Sequence, residues 1–532
     1  MTPRSAKAGD PLRLLVFHHL FAACAEEMGE SLMRAAFSPN IRERRDFSCA
    51  LFDAHGEAVA QAAHLPVHLG SAPLSLAAVL EDLELAPGDV AMVNDPYRGG
   101  THLPDLTVVE PVWLTPGGRP DFWCLARAHH ADMGGAHPGS MAPARDIHGE
   151  GLRLPPVRLV RGGQVDEDLL RVFLANTRVP RERRADLQAQ LAACRAGALR
   201  LRVLAEEHGA PELVQRAGEL MAWTEARTRA VLAELPAGTV EVEDTLELAS
   251  GGVARLRLSW SHGPDGAVFD FSATDDQLPD PVNTVHAVAL SAVHYGLRLL
   301  LPEGTPTNAG IGRCASVRTR PGSLLDAGYP APVAAGNVET SQRAVDLVLA
   351  ALRAVLPDRI PAASSGTMSN LTLGAGDGSF SYYETLAGGA GGGPQGPGAH
   401  AVHTHMTNTR NTPVEVLERE LPVRVLQTSV RRGSGGAGKH PGGDGLVRRL
   451  QALASVRVGW SAQRQVEGPP GAAGGAPGAR GGASLRRAGA RRDAPLPGQA
   501  ALDLAPGDEL EVRTPGGGGH GRPPRAKPGA RG

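Results

Sequence analysis

Thr107-Val-Val-Glu-Pro-Val-Trp113 and Phe122-Trp-Cys-Leu-Ala126 are two runs rich in β-branched and aromatic residues. They read as two strands of a hairpin-like unit. The chain enters the first through Gly99-Gly-Thr-His-Leu-Pro-Asp105 and leaves the second through Ala128-His-His-Ala-Asp-Met-Gly-Gly135. A strand pair brings its ends together, so His102, Asp105, His129, His130 and Asp132 can converge on one point. Imidazole nitrogen with carboxylate oxygen is a ligand set for Zn²⁺, Mn²⁺ or Fe²⁺. A lone His or Asp in a turn is better explained by bonds to the backbone. Two such clusters flanking one unit favour a metal.

Outward from this unit the pattern alternates between helix and strand. In residues 11–36, Leu14, Phe17, Phe21, Cys24, Met28 and Leu32 recur at helical spacing, and Pro39 ends the run. Strands follow at 47–52, 58–61 and 90–93, with a helix at 74–83. Residues 181–235 read as helical, broken near Gly209 and Pro211. Strands resume at 239–248, 254–260 and 268–272, and helices are expected at 286–301 and 338–355. The order predicts an α+β, multi-domain protein with mixed sheets, a helical insert and a Gly-rich C-terminal region. Four regions result: 1–180, an N-terminal α+β metal-site region; 181–236, a helical segment; 237–460, a mixed α/β region with Gly-rich loops; and 461–532, a Gly/Pro/Arg-rich segment expected to be partly disordered.

The 532 residues exceed one ordinary core. A net charge of −2 gives no case for nucleic acid or membrane. The charge is uneven, with 17 Lys and Arg against 7 Asp and Glu from Arg431 onward. Five scattered cysteines without a C-x-x-C, and no apolar leader or span, predict a reduced, cytoplasmic protein.

Gly433-Ser-Gly-Gly-Ala-Gly-Lys439 resembles a P-loop but continues with His440 where the Mg²⁺-binding hydroxyl belongs, and Pro441 follows where a helix should start. It is rejected as a nucleotide site. Gly388-Gly-Ala-Gly-Gly-Gly-Pro394 reads either as a flexible loop or as backbone that approaches a ligand, and Thr514 to Gly519 is similar. In Val402 to Thr412, alternation predicts His403 and His405 on one strand face. Asn408, Arg410 and Asn411 are candidate substrate-binding residues, since amide and guanidinium groups match an amide or carboxylate. His64 and His68 have helical spacing, but Pro66 between them argues against a helix, and they are not assigned as ligands.

These motifs, in this order, resemble the hydantoinase B/oxoprolinase family. The resemblance runs through Arg34-Ala-Ala-Phe-Ser-Pro-Asn-Ile41, His64-Leu-Pro-Val-His-Leu-Gly70, Asn94-Asp-Pro-Tyr97, both His/Asp clusters, Gly149-Glu-Gly-Leu-Arg-Leu-Pro-Pro156, Gly336-Asn-Val-Glu-Thr-Ser341, His403 to Glu415 and Thr514-Pro-Gly-Gly-Gly-Gly519. It implies a B-type subunit of an ATP-dependent amidohydrolase that opens hydantoin-like or 5-oxoproline-like lactams. ATP would be bound by a hydantoinase A-type partner subunit. The alternatives it leaves are a subunit of an acetone or aryl-ketone carboxylase, and a non-catalytic scaffold for that partner. It places the metal ligands on His102, Asp105 and His129, with Mn, Zn or Fe as the divalent ion. Asp132 and Glu150 are candidates for general base or for orienting the ligands. The chain departs from the family at 389–400, where an Asp-Gly pair is usual, at Lys439-His-Pro-Gly-Gly443, and across 461–500.

Overall fold

The computed structural model of the chain describes residues 11–62, 65–141, 143–263 and 266–524. The expectations at the first residues, at His64 and at 525–532 lie outside them. Seven strands make the first sheet: β1 (Phe47–Asp53), β2 (Ala58–Gln61), β3 (Val90–Val93), β4 (Asp105–Val112), β5 (Phe122–His129), β6 (Val157–Arg161) and β7 (Gln164–Val165). Their order is β2-β1-β5-β4-β3-β6-β7, with antiparallel neighbours.

Strand alternation gives this sheet two apolar faces. Cys49, Leu51, Val108, Cys124 and Ala126 share a core with Phe21 and Met28 of the helix Pro11–Ala35 and with Leu187 and Leu191 of the helix Pro180–His208. Ala50, Phe52, Val109, Trp123 and Leu125 share another with Leu76 and Val79 of the helix Ser71–Asp82. The two long helices touch so closely that a Cβ at Gly197 would overlap the Met28 sulfur. The helical segment expected at 181–236 is thus the pair Pro180–His208 and Ala210–Ala233, and its first helix covers the first sheet.

The second sheet, in the order β11-β10-β9-β8, comprises β8 (Gly238–Glu247), β9 (Val253–Gly263), β10 (Gly266–Asp270) and β11 (Ala315–Arg318). It shares a core with the helices His286–Leu300 and Ser341–Val355, around Trp260, Phe269 and Val348. Nine further strands follow: β12 (Asn370–Gly374), β13 (Ser381–Thr385), β14 (Val423–Arg431), β15 (Gly445–Ala452), β16 (Val456–Ser461), β17 (Gly482–Arg486), β18 (Ala494–Leu496), β19 (Gln499–Leu504) and β20 (Glu509–Arg513). They form a third sheet, β13-β12-β16-β19, and a fourth, β14-β15-β20-β17-β18.

Two expectations change here. Residues 461–500, read above as poorly ordered, carry β17 and β18 and the start of β19. Their apolar residues are sparse, but Ala483 and Leu485 are buried against a core that includes Leu450, Leu510 and Val512. The partner strands lie far along the chain, so no local period announces them. The boundary at 460/461 also falls inside the third sheet, because β16 pairs with both β12 and β19.

The glycine-rich segments are neither flexible loops nor anion cradles. They lie against one another, backbone to backbone. Gly389 N–H donates to the Pro515 carbonyl at 3.0 Å, Gly392 to Gly518 at 2.8 Å, Gly436 to Gly517 at 2.8 Å, Gly517 to Gly443 at 2.9 Å and Gly519 to Ala476 at 2.9 Å. A Cβ at Gly389 would overlap the Gly443 carbonyl, and one at Gly517 the Ala390 carbonyl. Neither glycine has positive φ, so close approach, and not backbone conformation, demands them. Buried amides must be paired. Here they pair with each other and are not available to a phosphate.

Candidate metal centre

The loop leading into β4 is fixed from below. Asp95 accepts a bond from Tyr97 N–H at 3.0 Å, and Gly99 takes φ +81° where a Cβ would overlap the Leu74 carbonyl. β4 then begins at Asp105 and β5 ends at His129, and these two residues are direct register partners. Cross-strand partners carry side chains on one face. The next residue, His130, points the other way. Its Nε2 lies 2.9 Å from Gln190 Oε1 on the helix Pro180–His208, and burial pushes its pKa down to about 4. His130 therefore leaves the candidate ligand set.

His102, Asp105 and His129 offer ligand atoms that all lie within 4.8 Å of one another, and all three side chains are buried. Asp105 Oδ1 stands 3.2 Å from His102 Nε2 and 3.5 Å from His129 Nδ1. Its other oxygen, Oδ2, accepts from Thr101 Oγ1 at 2.5 Å and Asn337 Nδ2 at 3.2 Å, with His68 Nε2 at 3.3 Å. One carboxylate oxygen is thus anchored and the other faces the two imidazoles. The Ala334 carbonyl lies 3.3 Å from His102 Nδ1, which must therefore donate, leaving the Nε2 lone pair free. The His129 ring stacks on Tyr383, with centroids 4.5 Å apart and planes at 12°.

The electrostatics match this role. Burial opposes ionisation of Asp105, but His102 and His68 outweigh it and hold the carboxyl well below its usual range. Burial lowers the pKa of His129, with Asp46 and Asp105 opposing. A neutral imidazole is the form that binds metal. The Nε2 atoms of both His102 and His129 are buried without a hydrogen-bond partner. Such atoms are costly in a dry site unless something bonds them. His102 Nε2, which is unsatisfied, and His129 Nδ1, set 3.2 and 3.5 Å from the same Asp105 oxygen, make with it an N₂O donor set that fits a divalent cation.

The other assigned residues sit differently. Asp132 is fully buried: Oδ1 accepts from the Gly134 and Arg178 amides, and Oδ2 from the Gly139 amide and the Arg178 guanidinium. Its oxygens shape the loop after β5. Glu150 Oε1 accepts the Val333 and Ala334 amides at 2.8 and 2.9 Å, so it fixes the strand of chain whose carbonyl holds His102. Burial raises its pKa to about 8, against the pull of those amides. Asn408 and Arg410 line a surface cleft of about 360 Å³ with Glu26, Glu30, Arg45 and Phe47, and no member of the triad lines it. Asn411 instead donates to Glu384 Oε2 and to the Thr385 carbonyl. His403 and His405 lie in irregular chain and not on a strand, and His405 has φ +57°.

Four residues that complete the site escaped sequence reading: His68, Thr101, Asn337 and Tyr383. His68 lies in a 3₁₀ turn, Pro66–His68, which reconciles Pro66 with a buried histidine. Its motif was visible; its direction was not. Asn337 and Tyr383 come from segments more than 200 residues beyond the triad, as their bonds and stacking to it show.

Fold and site together define a multi-sheet α+β protein whose buried two-histidine, one-aspartate cluster suits a divalent cation. The chain belongs to the hydantoinase B/oxoprolinase family, whose model matches residues 10–523. The 5-oxoprolinase 1 of Arabidopsis thaliana is 37% identical over 96% of this chain, which spans only 42% of that protein. The caprolactamase β subunit of Pseudomonas jessenii is 30% identical over 97% of this chain and 91% of its own length. The crystal structure of the ATP-dependent caprolactamase from that organism matches at TM-score 0.91 and 28% identity, over 97% of this chain and 93% of that one. A nucleotide-free acetone carboxylase structure matches at TM-score 0.87 and 16% identity, over 96% and 76%, which is a likeness of fold.

Proposed function

We propose that this chain is the metal-bearing subunit of an ATP-dependent amidohydrolase that opens hydantoin-like or 5-oxoproline-like lactams, and that a separate hydantoinase A-type subunit binds the ATP. The observation that carries this reading is the buried His102–Asp105–His129 cluster with its two unsatisfied imidazole nitrogens. The division of labour is supported by the near P-loop: the Gly435, Gly436, Lys439 and His440 amides already bond within the protein. A lactam resists attack because resonance stabilises it, so its carbonyl needs activation, which ATP on the partner subunit would supply.

His102, Asp105 and His129 would hold a Mn, Zn or Fe ion. When bound, such an ion polarises an oxygen or lowers the pKa of a water. The chain's own residues prepare that site. Thr101, His68 and Asn337 orient Asp105, and Glu150 orients His102 through the Ala334 backbone. Asp132 holds the loop beyond His129 in place. Burial of all three ligand side chains keeps bulk water from a labile activated substrate. Asn408 and Arg410, in a cleft they share with Arg45, Glu26 and Glu30, would meet the polar groups of a substrate. Among the described residues no helix is long and apolar enough to cross a membrane, and all five cysteines are free and buried; both features suit a cytoplasmic enzyme.

The test is co-purification with a hydantoinase A-type subunit, followed by ATP-hydrolysis assays with hydantoin, 5-oxoproline, caprolactam and acetone. Lactam-dependent turnover should appear only when both subunits are present. Turnover stimulated by acetone alone would move the chain to the carboxylase class.

A further inference from the structure

Three arginines of the basic stretch that begins at Arg431 line one cavity, of about 460 Å³, on the fourth sheet. Strand alternation explains its floor. Ala483 and Leu485 of β17 and Leu510 and Val512 of β20 are buried in the core, so Gly482, Ser484, Glu511 and Arg513 occupy the opposite face, and all four line the cavity. Gly482 is the register partner of Arg513, and Ser484 of Glu511. A Cβ at Gly482 would meet nothing within 4 Å, so the floor is open there. Arg431 comes from the end of β14, and Arg480 and Gln465 from the chain before β17. No member of the metal triad lines this cavity.

Its charge is unbalanced. Arg513 is paired, its Nε donating to Glu511 Oε1 at 2.6 Å. Among the described residues, neither Arg431 nor Arg480 has a carboxylate within ion-pair reach. Arg431 is half-buried and held in place by its Nη1, which donates to the Arg480 carbonyl at 2.7 Å and the Thr514 carbonyl at 3.0 Å. A guanidinium has five donors, so Nε and Nη2 of Arg431 are left for something else. Burial and the neighbouring Arg513 both lower its pKa, the mark of a cation that lacks a counter-charge. Three guanidinium groups against the one Glu511 carboxylate leave two positive charges, which suits a dianion.

Gln465 adds a requirement that charge alone does not. Its Oε1 is buried without a hydrogen-bond partner. Its Nε2 donates to the Gln463 carbonyl at 2.9 Å, so the amide cannot turn round without losing that bond, and the free end is an acceptor. A Cβ at Gly481 would overlap this Nε2, which sets the amide against the chain that enters β17. An occupant that matches both features carries two negative charges and a hydroxyl.

We propose that this cavity is a phosphate site. Arg431 and Arg480 donate to the phosphate oxygens. Gln465 Oε1 accepts a hydroxyl, either the proton that phosphate keeps at neutral pH or a hydroxyl of the small molecule that carries it. The volume leaves room for such a carrier. Sulfate has the same shape and charge but no proton, so it leaves Gln465 Oε1 unpaired, and a buried acceptor without a partner is costly.

The test is calorimetric titration of the full chain with inorganic phosphate, glycerol 3-phosphate and sulfate at about 0.15 M NaCl, where diffuse surface charge is screened. At least one phosphate probe should bind with a Kd below about 1 mM, and sulfate about tenfold or more weaker. The tighter of the two phosphates identifies a free ion or an ester as the source. Arg480→Gln, at an exposed position, should weaken phosphate about tenfold. Gly482→Leu should abolish binding by filling the floor. Arg491→Gln, exposed and outside the cavity, should change nothing. Absence of saturable binding by both phosphates overturns the site. So does sulfate binding as tightly as phosphate, or Arg491→Gln weakening phosphate as much as Arg480→Gln, since either would mean a general attraction of anions. Should Gly482→Leu not fold, the two arginine variants decide.

Discussion

The glycine-rich seam and the metal centre treat buried polar groups in opposite ways. In the seam, backbone amides and carbonyls from segments near 389, 436, 443 and 517 pair with each other, and side chains are absent because none would fit. In the metal centre, side chains supply the polar groups, and several end with an atom that has no partner. A buried group without a partner costs roughly 1–3 kcal/mol. The seam avoids that cost and is structural. The centre bears it, as the proposed metal site would. Composition alone left the seam open between a flexible loop and a backbone that approaches a ligand, since glycine runs make both.

The seam should break hardest. Gly517→Ala sets a methyl group into the Ala390 backbone, which cannot yield as a side-chain end can. A loss of about 3 kcal/mol or more is expected, read by urea denaturation or as loss of soluble protein. Gly396→Ala is the internal control: its Cβ would meet nothing within 4 Å, and a change within about 0.5 kcal/mol is expected. Equal behaviour of the two variants would show that the seam is not packed as described.

Next in size is the ligand set. Asp105→Ala should leave a folded protein whose metal content, by elemental analysis, falls from about one ion per chain to a small fraction, because losing one of three ligands removes most of the affinity. Chelation of the wild type should lower its melting temperature, as release of any ligand specific to the folded state does. Undiminished metal in Asp105→Ala would separate the cluster from metal binding.

A smaller effect sharpens the boundary between the ligands and their supports. Burial raises the Glu150 carboxyl from 4.5 to about 8. Between those values the unfolded chain has lost the proton and the folded chain still holds it. The folded state then binds more protons, so rising pH favours unfolding. The Glu150 contribution to stability is therefore full below 4.5 and is lost as pH climbs through about 8. Glu150→Gln should flatten the fall in urea midpoint over that window. A slope identical to wild type would mean that Glu150 is ionised in the fold.

The smallest effect is expected at the surface cleft. Arg410 is exposed, so Arg410→Ala should change stability by no more than about 0.5 kcal/mol and leave metal content unaltered. A rise in KM for an anionic lactam with unchanged kcat would place the cleft on the substrate's route, and loss of metal would tie it to the triad.

Local pattern carried a large part of this molecule. The helix Pro11–Ala35 was legible because Phe17, Phe21, Cys24, Met28 and Leu32 recur with the helical period and are the residues buried. The convergence of the two His/Asp clusters was legible because they flank one antiparallel pair, which unites Asp105 with His129, whereas the choice of His102, Asp105 and His129 among the five candidates came from the family resemblance. Tertiary structure decided what neighbours in sequence cannot show. It sent His130 to Gln190 and away from the ligands, since successive strand residues face opposite sides. It gave 461–500 strands, through partners such as β20 that no local period predicts. It brought Asn337 and Tyr383 to a site formed more than 200 residues earlier, and it turned glycine runs into a packed seam. The physical reason is common to all four: periodicity records which face of an element is buried, whereas hydrogen-bond partners and close approaches between distant segments exist only once the chain has closed on itself.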